Sequence, residues 1–332
     1  MDNIRAGIAI IGCGSAEPQN KLTNDHLSEI VETSDEWINS RTGMRIRHIS
    51  NETESLSQLA ADAASKAIAN ANLSPTDIDL IILATSTPDD LFGSASKVQS
   101  LVGATRAVAF DLTAACSGFV FALITASQFI RTGVYKNVVV IGADVLSRWV
   151  DWSDRTTCVL FGDGAGAIVC QATTNSDRLL AFEMHSDGSQ NACLNLPYQS
   201  QSKSLVPGVT AQYGTYKPVS MNGREVYRFA VAKVPEAIEK AMFRAGLTIE
   251  DIDWLLLHQA NQRIMAAVAK RLKLPQEKIL STIAEHGNTS AASIPLALDA
   301  AIREGKVKPG DAIATAGFGA GLTWSAAIFR WG

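Results

Sequence analysis

The 332-residue chain lacks several features that would each name a function class. It has no CxxC pair. Its five cysteines, Cys13, Cys116, Cys158, Cys170 and Cys193, are scattered and odd in number. That gives no zinc signature and no disulfide framework, and predicts free thiols in a reducing compartment with no metal bound. No segment reaches the roughly 18 consecutive apolar residues of a membrane helix. No basic stretch followed by an apolar core opens the chain; Ile8-Ala9-Ile10-Ile11 reads as a first strand instead. Basic residues are not in excess, and a net charge of −4 argues against nucleic acid as the main ligand. The dinucleotide fingerprint fails as well. Gly12-Cys13-Gly14 follows an apolar strand, but Glu17 stands at the third glycine position, and Gly162-Asp163-Gly164-Ala165-Gly166 has the wrong spacing. There is no Walker motif. These absences lead to the expectation of a soluble cytoplasmic protein with no membrane and no nucleic-acid partner.

What is present is a large apolar fraction, 47%, in a chain long enough for two domains. It also repeats itself. Residues 67–84, AIANANLSPTDIDLIILA, align without gaps on 241–258, AMFRAGLTIEDIDWLLLH. Each reads as an Ala-rich helix, a turn, Asp-Ile-Asp and a short continuous apolar strand buried on both faces. Further on, Arg131-Thr132-Gly133 before strand Val138–Ile141 parallels Arg303-Glu304-Gly305 before strand Ala312–Ala316. The offset is 174 residues from Asp77 to Asp251 and 172 from Arg131 to Arg303. A near-constant offset predicts two similar α/β halves, 1–175 and 176–332, each a parallel-stranded sheet covered by helices. The second offset sets Cys116 opposite Asn288.

Cys116 carries the strongest chemical signal. It sits in Asp111-Leu112-Thr113-Ala114-Ala115-Cys116-Ser117-Gly118, just before an apolar run from Phe119 to Ile130. The run predicts a buried helix with the cysteine at its N-terminus, where unpaired N–H groups and the helix dipole favour a thiolate nucleophile. The segment alone fits a buried structural thiol equally well. Three second-half segments carry isolated polar groups: His258 ends the strand Leu255-Leu256-Leu257, Asn288 lies in His286-Gly287-Asn288-Thr289-Ser290, and residues 317–324 read Gly-Phe-Gly-Ala-Gly-Leu-Thr-Trp. Taken singly, these suit a satisfied core histidine, a turn residue and a tight turn. Taken together with Cys116, they supply a thiol, an imidazole and donors for an oxyanion, the parts of acyl transfer.

With AACSGF at 114–119, FGDGAGA at 161–167, HQAN at 258–261, HGNTSAAS at 286–293 and GFGAGLTW at 317–324, the chain resembles the β-ketoacyl-[acyl carrier protein] synthase III family of thiolase-fold condensing enzymes. The resemblance covers essentially the whole length. It implies an α/β fold of the duplicated, five-layered αβαβα kind, a homodimer, and a triad of Cys116, His258 and Asn288. It implies acyl transfer from acetyl-CoA or another short acyl-CoA to Cys116. Decarboxylative condensation with malonyl-[acyl carrier protein] follows, giving acetoacetyl-[acyl carrier protein] at the start of type II fatty acid synthesis. The CoA thioester is a substrate, and no cofactor is expected. The backbone N–H groups of Cys116 and Ala320 are the implied oxyanion donors; some relatives have Gly at the latter position. An Asn at 288, where elongating relatives carry a second His, points to CoA-linked priming.

The resemblance also implies that Trp37 and Arg155 sandwich the adenine of CoA and that Arg41 lies near its phosphates. A capped helix start at Thr33 with a surface Trp is the simpler reading of that segment. Arg263, Lys270, Arg271 and Lys273 follow His258 in a predicted helix; Arg263 and Lys270 share a face. In an acidic protein such a cluster suits an acidic partner, and acyl carrier protein is one; Arg228 falls at another basic position of the family. Phe161 and Met221, with Leu160, are candidates for the acyl pocket, with Phe92 reaching across a dimer. Two other readings remain open from sequence: a CoA-primed condensing enzyme of polyketide-type secondary metabolism, and a non-catalytic paralogue that binds CoA or the carrier.

Overall fold

Short runs with an apolar residue at every position, Leu80–Ala84 and Trp254–Leu257, become buried strands of two sheets. In the computed structural model, which describes residues 6–332, the first sheet holds β1 (Gly7–Ala16), β2 (Leu80–Ala84), β3 (Val108–Leu112), β4 (Asn137–Val145) and β5 (Asp163–Thr173) in the order β1-β5-β4-β2-β3. The second holds β6 (Leu179–Ser186), β7 (Trp254–Leu257), β8 (Ala312–Gly319) and β9 (Thr323–Arg330) in the order β7-β8-β9-β6. In both, the strand after Asp-Ile-Asp is parallel to its longer neighbour, but the next two pairings are antiparallel, so the sheets are mixed and not the parallel-stranded ones expected. The place taken by β3 in the first sheet is marked in the second only by a bridge from Ile279 to Leu255. Residues 1–5 of the expected first half lie outside the described residues.

The helices that cover these sheets are α1 (Asp35–Thr42), α2 (Leu56–Asn70), α3 (Ala95–Val102), α4 (Gly118–Arg131), α5 (Gly223–Ala245), α6 (Gln262–Leu272) and α7 (Ser293–Arg303). Side chains alternate across each strand, so each sheet feeds two cores. Ile81, Leu83, Val139 and Ile141 pack with Leu59 and Ile68 of α2 and Val98 of α3. Ile82 and Val140 face the other way, into a core shared by Phe119 and Leu123 of α4, Ile294 and Leu298 of α7, and Leu256 and Ile313 of the second sheet. Leu255, Leu257 and Ile328 complete the stack against Val234 and Ile238 of α5 and Met265 of α6. The layers are therefore α, β, α, β, α, as the resemblance implied. Each such side chain, fully buried, contributes about 1.5–3 kcal/mol, so the middle core alone binds the two sheets firmly. Among the described residues no helix is long and apolar enough to cross a membrane.

The repeated Asp-Ile-Asp has a physical explanation. In each copy the first Asp accepts from the backbone N–H that opens a short turn: Ser74 to Asp77 and Thr248 to Asp251, both 2.8 Å. The Ile is fully buried. The second Asp pins the neighbouring strand: Asp79 accepts from Lys136 and Asn137 N–H at 2.9 Å, and Asp253 from Ala312 N–H at 2.8 Å. The Gly12-Cys13-Gly14 segment also has a packing role. A Cβ at Gly12 or Gly14 would stand 2.3 or 2.6 Å from a carbonyl oxygen of α2, so glycine there lets α2 press onto β1.

The offset needs one correction. The helix α4 has fourteen residues and α7 has eleven, so the 172-residue offset seen at their C-terminal ends becomes 175 at their starts, Gly118 against Ser293. The residue opposite Cys116 is then Ala291 rather than Asn288. Both helices are entered by a 3₁₀ turn, 115–117 and 290–292, whose first residue is left-handed: Ala115 at φ 48° and Ser290 at φ 51°. A non-glycine residue there costs on the order of 1 kcal/mol or more. The same strained entry in both halves sets the two turns against each other in the central layer.

Candidate active site

Cys116 lies in the 115–117 turn between β3 and α4, 8% exposed. The glycine-rich strand end of β8 is pressed against it. A Cβ on Gly319 would sit 2.8 Å from the Cys116 Cβ and 3.1 Å from its Sγ, and one on Gly317 would sit 2.8 Å from the Ser117 Cα. The hydroxyls of Ser117 and Thr323 are 2.6 Å apart, and both reach the Ala114 carbonyl. That locks the 317–323 segment to the cysteine turn. Ala320 follows at the end of β8 with a negative φ, and its N–H has no backbone acceptor among the described residues.

The expected standing thiolate is not what this environment favours. Burial pushes the Cys116 thiol up to about 12, and the buried Asp144 pushes in the same direction; the hydrogen bond from Ser290 Oγ, 3.4 Å from Sγ, opposes them. Desolvation outweighs the favourable position at the helix start. Burial likewise holds His258 down to about 3, against a hydrogen bond with the Ser290 backbone that favours protonation. The resting pair is thus a neutral thiol and a neutral imidazole.

His258 follows β7 and is 1% exposed, edge-on to the Phe318 ring. Its Nδ1 lies 2.7 Å from Ser293 Oγ, which already accepts from the Gln259 N–H at 3.2 Å. The Ser293 contact anchors the ring at Nδ1 and leaves Nε2 without a side-chain partner among the described residues. Asn288 is pinned through its backbone to Leu160 and Gly162, at 2.9 and 3.0 Å. Its Oδ1 accepts from the Ser290 N–H at 2.9 Å, so its Nδ2 protons remain for another acceptor. Ser290 itself joins the set: its hydroxyl meets Cys116, its N–H meets Asn288, and its backbone meets His258. Asp144 underlies the turn, accepting from the Ala291 N–H at 3.2 Å. Neither Ser290 nor Ser293 was singled out from sequence. The signal was there in the repeat, since Ser290 occupies the position of Ala115.

The outer groups are brought together unevenly. The cap of α1 is Ser34, whose Oγ accepts from the Trp37 N–H at 3.1 Å, and not Thr33. The Arg41 and Arg155 guanidinium carbons lie 4.7 and 4.9 Å from the Trp37 ring centroid. An inserted base would need about 7 Å, twice a van der Waals contact. The expected sandwich is therefore closed, because Arg155 stacks on the indole and donates to the Glu32 carbonyl at 2.7 Å. Arg228 and Arg263 line one groove of about 470 Å³ with Arg224 and Tyr227. Arg224 escaped notice although it is four residues before Arg228, on the same helix face. Lys270 and Lys273 are exposed on and just beyond α6. Arg271 is occupied: Pro235, inside α5, has no N–H for the Val231 carbonyl, and Arg271 donates to that oxygen at 3.3 Å and to Ala232 at 3.2 Å. Phe161 is buried and bridged to Asn288, with Leu160 half-buried beside it. Met221 is half-buried at the rim of the same core, and Phe92 is 99% exposed, lining nothing in its own chain.

Comparison with known proteins agrees with this geometry. The family model described as 3-oxoacyl-[acyl-carrier-protein] synthase III matches residues 110–188, and the model of its C-terminal part matches residues 242–331. The chain is 69% identical over 332 residues to a β-ketoacyl-[acyl-carrier-protein] synthase III of Microcystis aeruginosa, covering 100% of both chains. It is 64% identical over 331 residues to one from Synechocystis, again covering 100% of both. Among solved structures, the 3-oxoacyl-[acyl-carrier-protein] synthase III of Aquifex aeolicus superposes with a TM-score of 0.90 at 45% identity, covering 98% of this chain and 100% of that one. The priming β-ketosynthase of the R1128 polyketide pathway superposes with the same TM-score at 31% identity, covering 98% and 97%.

Proposed function

The chain belongs to the β-ketoacyl-[acyl-carrier-protein] synthase III family of acyltransferases that initiate fatty acid biosynthesis, and from that premise we propose how its residues carry the reaction. Cys116 takes the acyl group from a short acyl-CoA, acetyl-CoA first. Since thiol and imidazole are both neutral at rest, the thiol proton leaves only as sulfur approaches the acyl carbon and goes to the departing CoA sulfur, while His258 keeps its Nε2–H for the later step. The N–H groups of Cys116 and Ala320 receive the oxyanion, and Gly317 and Gly319 allow the backbone this close. CoA departs.

Malonyl-[acyl carrier protein] then enters. Loss of CO₂ moves charge onto the malonyl thioester oxygen, where Nε2–H of His258 and Nδ2–H of Asn288 are the donors. One such donor in a water-poor site is worth about 3–4 kcal/mol of transition-state stabilisation. The carbanion attacks the acyl-cysteine, and acetoacetyl-[acyl carrier protein] is released. The chemistry as proposed uses only side chains and backbone N–H groups.

The observation that carries this reading is the meeting of Cys116, His258 and Asn288 around Ser290. The groove of Arg224, Arg228 and Arg263 suits the acidic carrier, and Lys270 extends the same charge. The Trp37 cluster takes the nucleotide end of CoA once Arg155 swings off the indole. The exposed tip at Leu91 and Phe92, 84% and 99% accessible, is where a second copy would contribute to the acyl pocket. The polyketide-type reading draws on one structural neighbour at 31% identity, against fatty-acid relatives at 64–69%.

The test is intact-protein mass after incubation with acetyl-CoA. The wild type is expected to gain about 42 Da, the acetyl group of nucleophilic catalysis, and Cys116→Ala to gain nothing. An adduct only with a longer acyl-CoA would move the role toward secondary metabolism. An adduct retained in Cys116→Ala would overturn the assignment.

A further inference from the structure

Glu17, His48 and His286 are far apart in sequence, and their side chains meet in the fold. Glu17 follows β1, His48 lies on the strand Ile46–Ile49, and His286 ends the short helix Ile283–His286. One donor atom from each lies within 4.8 Å of the other two. His286 Nε2 hydrogen-bonds Glu17 Oε2, and His48 Nε2 is 3.9 Å from the same oxygen. The two imidazoles stack with centroids 5.4 Å apart.

We propose that these three residues bind a divalent transition-metal ion, with zinc the best match to the donors. Two imidazole nitrogens and one carboxylate form a three-ligand zinc set that leaves a fourth position open. The rings are oriented as ligands are. His48 Nδ1 is 2.6 Å from the Pro18 carbonyl, which can only accept, so Nδ1 carries the proton and Nε2 presents its lone pair to the cluster. His286 Nδ1 faces the Thr282 carbonyl at 3.3 Å, turning its Nε2 inward in the same way.

The site closes by small movements. Tetrahedral bonds of about 2.1 Å place donors roughly 3.3–3.5 Å apart, so the His48–Glu17 pair, now at 3.9 Å, closes while the hydrogen-bonded His286–Glu17 pair opens. His48 is buried and stays; Glu17 has a side chain 45% exposed and is free to follow. Entry is open, because Glu17 lines a surface groove of about 670 Å³ that also carries Glu54 and Asp62. Lys21 is a nearby cation the ion must tolerate, and Lys66 and Arg303 line the same groove. A bound ion would tie the end of β1, the 46–49 strand and the 283–286 turn together. That turn leads two residues on to Asn288.

The experiment uses Co²⁺ as a spectroscopic stand-in, titrated into the full-length wild type and into Glu17→Gln, with free metal fixed by equilibrium dialysis. One ion per chain is expected, with visible d–d bands and no thiolate charge transfer. Glu17→Gln is expected to bind at least about tenfold more weakly, and Co²⁺ to raise the melting temperature of the wild type more than that of the variant. Circular dichroism and melting without metal show that the variant folds. Equal affinity in both proteins would overturn the proposal. So would a thiolate charge-transfer band, which would assign the ion to cysteines, or no binding at all.

Discussion

Replacing Gly319 by Ala tests whether the glycine strand end walls the nucleophile. The added Cβ meets the Cys116 Cβ at 2.8 Å, its backbone nitrogen at 2.9 Å and its sulfur at 3.1 Å. Ordinary contact is about 3.5–4.0 Å, so one partner must move by about 0.7–1 Å. The β8 side resists, because it is a sheet strand with Gly317 already against Ser117. The cysteine turn resists less, since its left-handed entry at Ala115 is already strained. Overpacking of this kind costs about 1–3 kcal/mol of stability. A misplacement near 1 Å of a reacting group costs about 100-fold in rate. The assay is the rate of acetyl-enzyme formation by quenched intact-mass measurement, beside a thermal melt. Gly319→Ala is expected to acylate about 100-fold more slowly and to melt several degrees lower. Gly188→Ala, where a Cβ meets nothing within 4 Å, is the control and should match the wild type. A folded Gly319→Ala that acylates at the wild-type rate would refute the packing argument.

Two further outcomes follow from His258. Ser293→Ala removes the partner of Nδ1 and leaves the buried Gln259 N–H without its acceptor. The orphaned N–H costs about 1–3 kcal/mol of stability, and a ring no longer held at Nδ1 is expected to give malonyl decarboxylation at least about tenfold slower; an unchanged rate would show that Ser293 does not position the ring. The second outcome is pH-dependent. His258 titrates at about 3 in the folded chain against 6.5 for a free imidazole. Between those values the unfolded chain binds a proton that the folded chain does not, so stability falls as pH drops from about 6.5 toward 3. At 1.36 kcal/mol per unit the loss reaches about 2–3 kcal/mol by pH 4.5. Denaturant melts of His258→Gln should show a shallower acid decline than the wild type; parallel declines would mean the ring is not held neutral by burial.

Much of the fold was legible because it rests on local pattern. Leu80–Ala84 and Leu255–Leu257 announced buried strands by having no polar position, and the 119–130 run announced a buried helix in the same way. The two copies of Asp-Ile-Asp revealed the repetition because each performs a local task at a turn and a strand start. The motifs around Cys116, His258 and Asn288 named the family through residue type and order. The register of the repeat was misread by three residues at the cysteine, since α4 is a turn longer than α7 and a helix end does not report its beginning.

What the amino-acid order determined by itself is therefore the central buried strands and helix, the family and the groups proposed to react. The tertiary structure decided their states and partners, since these depend on distances between residues far apart in the chain. Cys116 is a neutral thiol because the fold buries it beside Asp144, which comes from a different strand. Ser290 stands among Cys116, His258 and Asn288 because a second turn is brought face to face with the first. Arg271 is drawn to α5 by a carbonyl that Pro235 leaves unpaired. Glu17, His48 and His286 have no motif spacing at all, and only the packing of three segments brings their donor atoms within 4.8 Å.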